Sequence, residues 1–331
     1  MQASLICRSV SYSGRPIAAL CLALTVLPMA VEGAFRIRTT TLSGNRYLLF
    51  RDVARFYGMQ YHVHDETVVC RSRYSRLVFR TNDRVATLNG IQVLLSLPVG
   101  ETGSEVFLSE TDFLLTVDPL LRRKVLDRKP VRTVVIDPGH GGRDPGAVAG
   151  GIREKDINLR VARLVAGILR RHGVQAYLTR GSDSGLTLSE RTAAARRFNC
   201  DLLISLHANS AGSRSARGVE TYALTPRGTA STHSSEIKER ASPGNLHDRN
   251  NMRLAYEMQR YLRHFTKAED RGVRRANFAV IRDAPCPAAL VEMGFISNSA
   301  EAMRLTSKSY QRLVATGIAN GILSYRKALC E

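Results

Sequence analysis

The chain has 331 residues, 44% of them hydrophobic, which supplies an ordinary core and excludes a disordered chain. Its formal net charge of +19 suits an acidic partner: nucleic acid, an anionic membrane surface or an anionic wall polymer. The length corresponds to about two domains.

Arg8 and Arg15 precede an apolar run from Ile17 to Val31, and the small residues Gly33 and Ala34 follow it. A basic start, a short apolar middle and a small-residue exit make the plan of a secretory signal. The run contains Pro28 and is short for a membrane span. Residues 1–34 are therefore expected to be a signal peptide, cleaved near Gly33 or Ala34, with no stable membrane span left behind. The expected location is the periplasm or cell envelope, or outside the cell. Export argues against a nucleic-acid partner, as does the lack of a basic helix with interleaved aromatics. Removal of the signal takes Cys7 and Cys21 with it. Cys70, Cys200, Cys286 and Cys330 remain, without C-x-x-C spacing, and admit three pairings that sequence does not separate. They read as core residues or as one disulfide.

Residues 35–128 read as a small β-rich domain. Short alternating or apolar runs recur at 47–50, 67–70, 76–80, 91–95 and 105–108, with a helix expected near 51–57. Asn89-Gly90 is a hairpin signal. This pattern resembles the copper-amine-oxidase-type N-terminal domain attached to some wall enzymes. His62 and His64 share one strand face, but no third ligand accompanies them, so they read as surface or packing residues. The basic segment 122–129, ending before Pro130, is the expected boundary.

From residue 129 to 331 strand and helix patterns alternate, which implies an α/β fold. Thr133–Ile136 is a continuous apolar run, as in a buried parallel strand. The apolar positions of 156–171 recur at three and four, a helical stripe. Strands are expected at 174–178, 201–206, 218–224, 278–281 and 288–291. Helices are expected at 188–198, with Ser189 as cap, at 251–265 and at 310–327. The expected architecture is a twisted, mostly parallel sheet flanked by helices.

In such sheets active groups collect beyond the carboxyl ends of strands. His140 follows the first strand of this region in Asp137-Pro-Gly-His-Gly-Gly142. His207 ends a later strand in Ser205-Leu-His-Ala-Asn209, and Glu292 ends a third in Leu290-Val-Glu-Met-Gly-Phe295. Glu154 opens the first long helix. Two histidines and one carboxylate form a zinc set for hydrolysis that leaves a position for water. His140, Glu154 and His207 are thus the candidate ligands of a single Zn2+. Glu292 is the candidate general base and acid, its apolar strand raising its pKa. Each residue alone has a plainer role in a loop, at a helix start or in a buried ion pair; their coincidence at element ends favours the site.

The segments 135–147, 205–209, 218–222 and 290–298, with Glu154 between the first two, resemble the type-3 N-acetylmuramoyl-L-alanine amidases. The resemblance covers residues 131–328 in order. It implies His140, Glu154 and His207 as zinc ligands, Glu292 as the catalytic glutamate, and peptidoglycan as the partner. The bond it implies is the amide between N-acetylmuramic acid and L-alanine. Some members carry a long helix that covers the zinc until a divisome or envelope activator protein pulls it away. Here the stretch between Leu224 and Asn251 is polar, holds Pro226, Gly228, Pro243 and Gly244, and reads as a loop, so weaker self-inhibition is expected. Glu220, Arg180 and Arg191 have either a cleft role or a structural one. Other readings are a zinc carboxypeptidase on wall peptides and a non-catalytic wall-binding protein.

Overall fold

The structure, a computed structural model, describes residues 36–330; the expected signal peptide lies outside them. The strands, in chain order, are β1 Thr39–Leu42, β2 Asn45–Leu49, β3 Gln60–His64, β4 Thr67–Arg71, β5 Arg76–Arg80, β6 Val85–Leu88, β7 Ile91–Leu94, β8 Gly100–Thr102, β9 Glu105–Ser109, β10 Thr133–Pro138, β11 Val148–Ala149, β12 Ile152–Arg153, β13 Gln175–Leu178, β14 Leu202–Asn209, β15 Val219–Leu224, β16 Asp270–Ala276 and β17 Ala288–Phe295.

One sheet has eleven strands in the order β13-β10-β14-β17-β15-β16-β7-β6-β5-β4-β3. Pairing is parallel from β13 to β17, antiparallel between β17 and β15, and parallel again from β15 through β16 to β7. From β7 to β3 every pairing is antiparallel. The sheet is therefore mixed; the mostly parallel sheet was expected for residues 129–331 alone, and among their strands the β17–β15 pairing is antiparallel. The parallel half needs crossover helices, whereas the β3–β7 half is built from tight hairpins. Asn89 and Gly90 form one such turn, both with positive φ (50° and 82°), as a two-residue hairpin of mirror-image type requires.

The β-rich segment and the α/β region thus share one sheet, joined where Val273 pairs with Val93. Asp270 reinforces the seam by accepting from the backbone N–H of Gln92 at 3.0 Å. Strands β1, β2, β9 and β8 form a separate four-stranded sheet, and β11 and β12 a small hairpin.

Alternation along the central strands builds two layers. Val134, Ile136, Leu202 and Ile204 face one side, in the core that also holds residues of the Glu154–Arg171, Asp248–Thr266 and Lys308–Cys330 helices. Val135, Leu203 and Leu290 face the other side, against Ala195 of the Leu188–Arg197 helix and Val280 and Ile281. Helices cover both faces, as expected.

Two local expectations are corrected. Residues Ala279–Arg282 form a short helix, not a strand. A four-residue apolar run is ambiguous between the two, and here it packs as one buried turn. The strand of that region is instead the arginine-rich β16. Thr187, not Ser189, caps the Leu188–Arg197 helix: its side chain accepts from the Glu190 backbone while Glu190 bonds back to Thr187, a capping box.

Candidate metal centre

Strand β10 ends at Pro138, and the chain turns through Gly139 into His140, whose φ of +60° is unusual for a non-glycine residue. The turn is held from below. Arg191 donates to the Asp137 carboxylate at 2.7 Å and to the carbonyls of Pro138 and His140 at 3.0 Å each. Arg180 donates to the carbonyls of Pro138 and Gly139, both at 2.9 Å. Asp137 also accepts from the Thr179 and Ser205 hydroxyls, at 2.6 and 2.8 Å. Both arginines are buried. They hold the turn and thus take the structural alternative of their two readings.

This turn brings His140 to Glu154, at the start of the Glu154–Arg171 helix, and to His207 on β14. One ligand atom from each of the three lies within 4.8 Å of the others. His140 Nε2 is 3.1 Å from one Glu154 oxygen, and His207 Nδ1 is 2.9 Å from the other. The imidazoles keep 25% and 20% of their side-chain surface exposed, so the cluster opens to solvent.

The cluster has an outer ring that residue spacing alone did not single out. Asp144 lies 2.7 Å from His140 Nδ1, leaving Nε2 turned to the cluster. Glu154 accepts from the backbone N–H groups of Ala147 and Ala208 and from the Asn158 side chain, at 2.9, 3.1 and 3.2 Å. The available signals were an aspartate four residues beyond His140 and an asparagine one helical turn beyond Glu154. Gly146 leaves the room: a Cβ there would sit 2.6 Å from Glu154 Oε2 and 2.7 Å from the His140 ring.

Burial pushes the Glu154 carboxyl up, but the bonds from His140 and His207 outweigh it and hold it well below the usual range. The Glu154 bond in turn raises the His140 imidazole, against the effect of burial.

Glu292 sits beside this cluster. On β17 it is the register partner of His207 on β14 and of Glu220 on β15, so the three form one row across the sheet. It is buried, and its Oε2 has no hydrogen-bond partner. Burial, then the charges of Glu154 and Glu220, raise its pKa well above the carboxylate norm. Glu220 is itself engaged. It accepts from Asn209 and Tyr222 at 2.7 and 2.8 Å, and pairs with Arg271 and Arg274 at 2.9 Å each.

His62 and His64 stay exposed on β3, outside any three-ligand cluster among the described residues. Of the stretch between Leu224 and Asn251, expected as a loop, residues 225–242 contain no helix, while Pro243–His247 form a short 3-10 helix and the Asp248–Thr266 helix begins inside it.

A buried carboxylate with an unpartnered oxygen beside a His-Glu-His donor set is the equipment that hydrolysis through activated water calls for. Comparison with known proteins agrees and specifies the class. Residues 134–324 match the N-acetylmuramoyl-L-alanine amidase family, and the chain belongs to it. YqiI of Bacillus subtilis (strain 168) is 41% identical over 194 residues, covering 59% of this chain and 84% of that protein. The N-acetylmuramoyl-L-alanine amidase AmiA of Escherichia coli (strain K12) is 32% identical over 219 residues, covering 59% and 76%. The solved catalytic domain of CwlV, an amidase of Bacillus (Paenibacillus) polymyxa var. colistinus, is 35% identical with a TM-score of 0.50. That alignment covers 60% of this chain and 99% of the domain. Residues 36–133 fall outside the family match.

Proposed function

We propose that this chain hydrolyses the amide between N-acetylmuramic acid and L-alanine in peptidoglycan, with one zinc ion held by His140, Glu154 and His207. Family membership supplies the bond. The observation that carries the mechanism is the convergence of these three side chains within 4.8 Å, beside a buried glutamate with an unpartnered oxygen. The donor set fits the metal: two imidazoles and one carboxylate are a hydrolytic zinc set. When bound, zinc lowers the pKa of water towards about 7 and polarises a carbonyl.

The chain's own residues do the rest. Asp144 and Asn158 orient His140 and Glu154. Glu292 accepts the proton of the attacking water and returns it to the L-alanine nitrogen as the amide breaks. Its raised pKa suits both steps, since the group must hold the proton and then release it. Arg191 and Arg180 keep His140 in its left-handed turn. The loop character of 225–242 supports a cleft that wall strands reach without an activator first removing a helical cover.

The charge of +19 supports retention on anionic wall polymer, with an affinity that weakens in salt. The amino-terminal pattern of residues 1–34 supports export to the envelope. Residues 35–128 are proposed as a wall- or partner-contacting region, and residues 129–331 as the catalytic one.

The test is digestion of purified peptidoglycan followed by identification of the new ends. Free lactyl groups paired with L-alanine amines are expected, with loss of cleavage after chelation and recovery with zinc. Release of carboxy-terminal amino acids instead would favour the carboxypeptidase reading, and full cleavage after rigorous metal removal would end the zinc assignment.

A further inference from the structure

We propose that Cys200 and Cys286 are joined as a disulfide that ties the amino end of β14 to the amino end of β17. Their sulfurs lie 2.7 Å apart, within about 0.7 Å of the ~2.04 Å length of a disulfide bond. Both residues are buried, in the core layer that holds Val135, Leu203 and Leu290.

The backbone holds both positions. Cys200 follows the Leu188–Arg197 helix, with its N–H on the Ala195 carbonyl at 3.1 Å. The preceding Asn199 is in the left-handed conformation, φ +47°, that closes such helices. Cys286 lies between Pro285 and Pro287, whose rings fix φ on either side. The Pro287 carbonyl accepts from Leu203 at 3.1 Å, and the Ala288 N–H donates to Asn251 at 2.8 Å. The two sulfurs therefore meet because both flanking segments are anchored, and bonding them needs little backbone motion.

Among the described residues the other two cysteines do not compete. Cys70 is buried on β4, in the core layer on the opposite side from Cys200 and Cys286, and Cys330 is exposed at the end of the last helix. Of the readings left open by sequence, the geometry supports the single disulfide, Cys200–Cys286, with Cys70 and Cys330 as thiols.

The bond forms by exchange with a small or protein disulfide. The thiolate of one cysteine attacks the oxidant's disulfide sulfur and releases the first oxidant thiol. The second cysteine's thiolate then attacks that mixed disulfide and releases the other thiol. The pair loses two electrons and two protons, and the oxidant becomes two thiols. Because both sulfurs are buried in the folded chain, exchange takes place before the layer closes. An oxidising envelope supplies such an oxidant, and this is the one point where the inference touches the export reading.

The bridge encloses β15, β16 and the helix between them, 86 residues in separation. Strands β14 and β17, held at one end by the bridge, carry His207 and Glu292 towards the other.

The test uses the full chain refolded with oxidised glutathione, then denatured, alkylated and mapped by mass spectrometry. Cys200 and Cys286 peptides are expected as one linked species two hydrogens lighter than the sum of the free peptides, with Cys70 and Cys330 alkylated. Reduction should lower the melting temperature by about 5–10 °C, and Cys200→Ala should abolish that redox dependence. Alkylation of both Cys200 and Cys286 in the glutathione-treated chain, or a linkage of either to another cysteine, would overturn the proposal. The map on the parent chain needs no variant to fold. It also stands apart from wall cleavage, so failure of the amidase reading leaves it unchanged.

Discussion

Replacing Glu292 by glutamine separates a catalytic role from a structural one. The side chain is buried on β17, and its Oε2 makes no hydrogen bond, so an amide of the same shape gives up no protein contact there. Burial and the neighbouring charges of Glu154 and Glu220 work against the carboxylate, and a neutral amide removes that opposition. The folded protein should therefore melt at the same temperature as the parent or higher. Activity should behave oppositely. A positioned proton-transfer group is worth about 10²- to 10⁴-fold, or about 3–5 kcal/mol of barrier. Release of soluble fragments from dye-labelled peptidoglycan should fall by that factor, with zinc content and wall pelleting kept. A variant that loads zinc normally and cleaves within about threefold of the parent would refute the assignment. A large drop in melting temperature would instead mark Glu292 as a packing residue.

Gly146→Ala probes the room around the ligands. The new Cβ meets Glu154 Oε2 at 2.6 Å and Glu154 Cβ at 2.8 Å, on a backbone with φ +66°. Zinc affinity should weaken by about 10- to 100-fold, as for lost outer support, measured by competition with a coloured chelator; parent-like affinity would count against that role. Asp248→Asn probes a buried carboxyl away from the site. Burial pushes Asp248 up to about 6, against the opposing effects of Arg275 and the Asn245 bond. The folded state thus holds a proton that the unfolded chain releases near 3.8. Its contribution is complete below that value and is lost as pH rises through about 6, a span worth roughly 3 kcal/mol. Urea unfolding from about pH 4 to pH 7 should show a flatter stability profile in the asparagine variant, and identical profiles would contradict it.

The candidate site residues were legible because each is a polar residue that interrupts or borders an apolar run. His140 follows the apolar strand β10 and Glu154 opens a periodic helix, whereas His207 and Glu292, expected at strand ends, lie inside β14 and β17, which run on to Asn209 and Phe295. What was not legible depends on partners remote in the chain. Strand β16, DRGVRRA, reads as polar surface, yet it lies inside the sheet between β15 and β7. It does so because its arginines find acceptors that no local pattern announces. Arg271 and Arg274 pair with Glu220, while fully buried Arg275 donates to the Leu224 and Leu115 carbonyls at 3.0 and 2.9 Å. The same strand explains why the β-rich segment could not be told from a free-standing domain. Its hairpins carry ordinary alternation, and their attachment rests on Val273 meeting Val93 and on Asp270 accepting from Gln92. A strand whose polar side chains are satisfied across the fold is invisible to hydropathy. Here that strand joins the amino-terminal hairpins to the sheet that carries His207 and Glu292. Deleting residues 36–128 would accordingly expose one edge of β16 rather than release an independent module, leaving backbone donors and acceptors that β7 now covers.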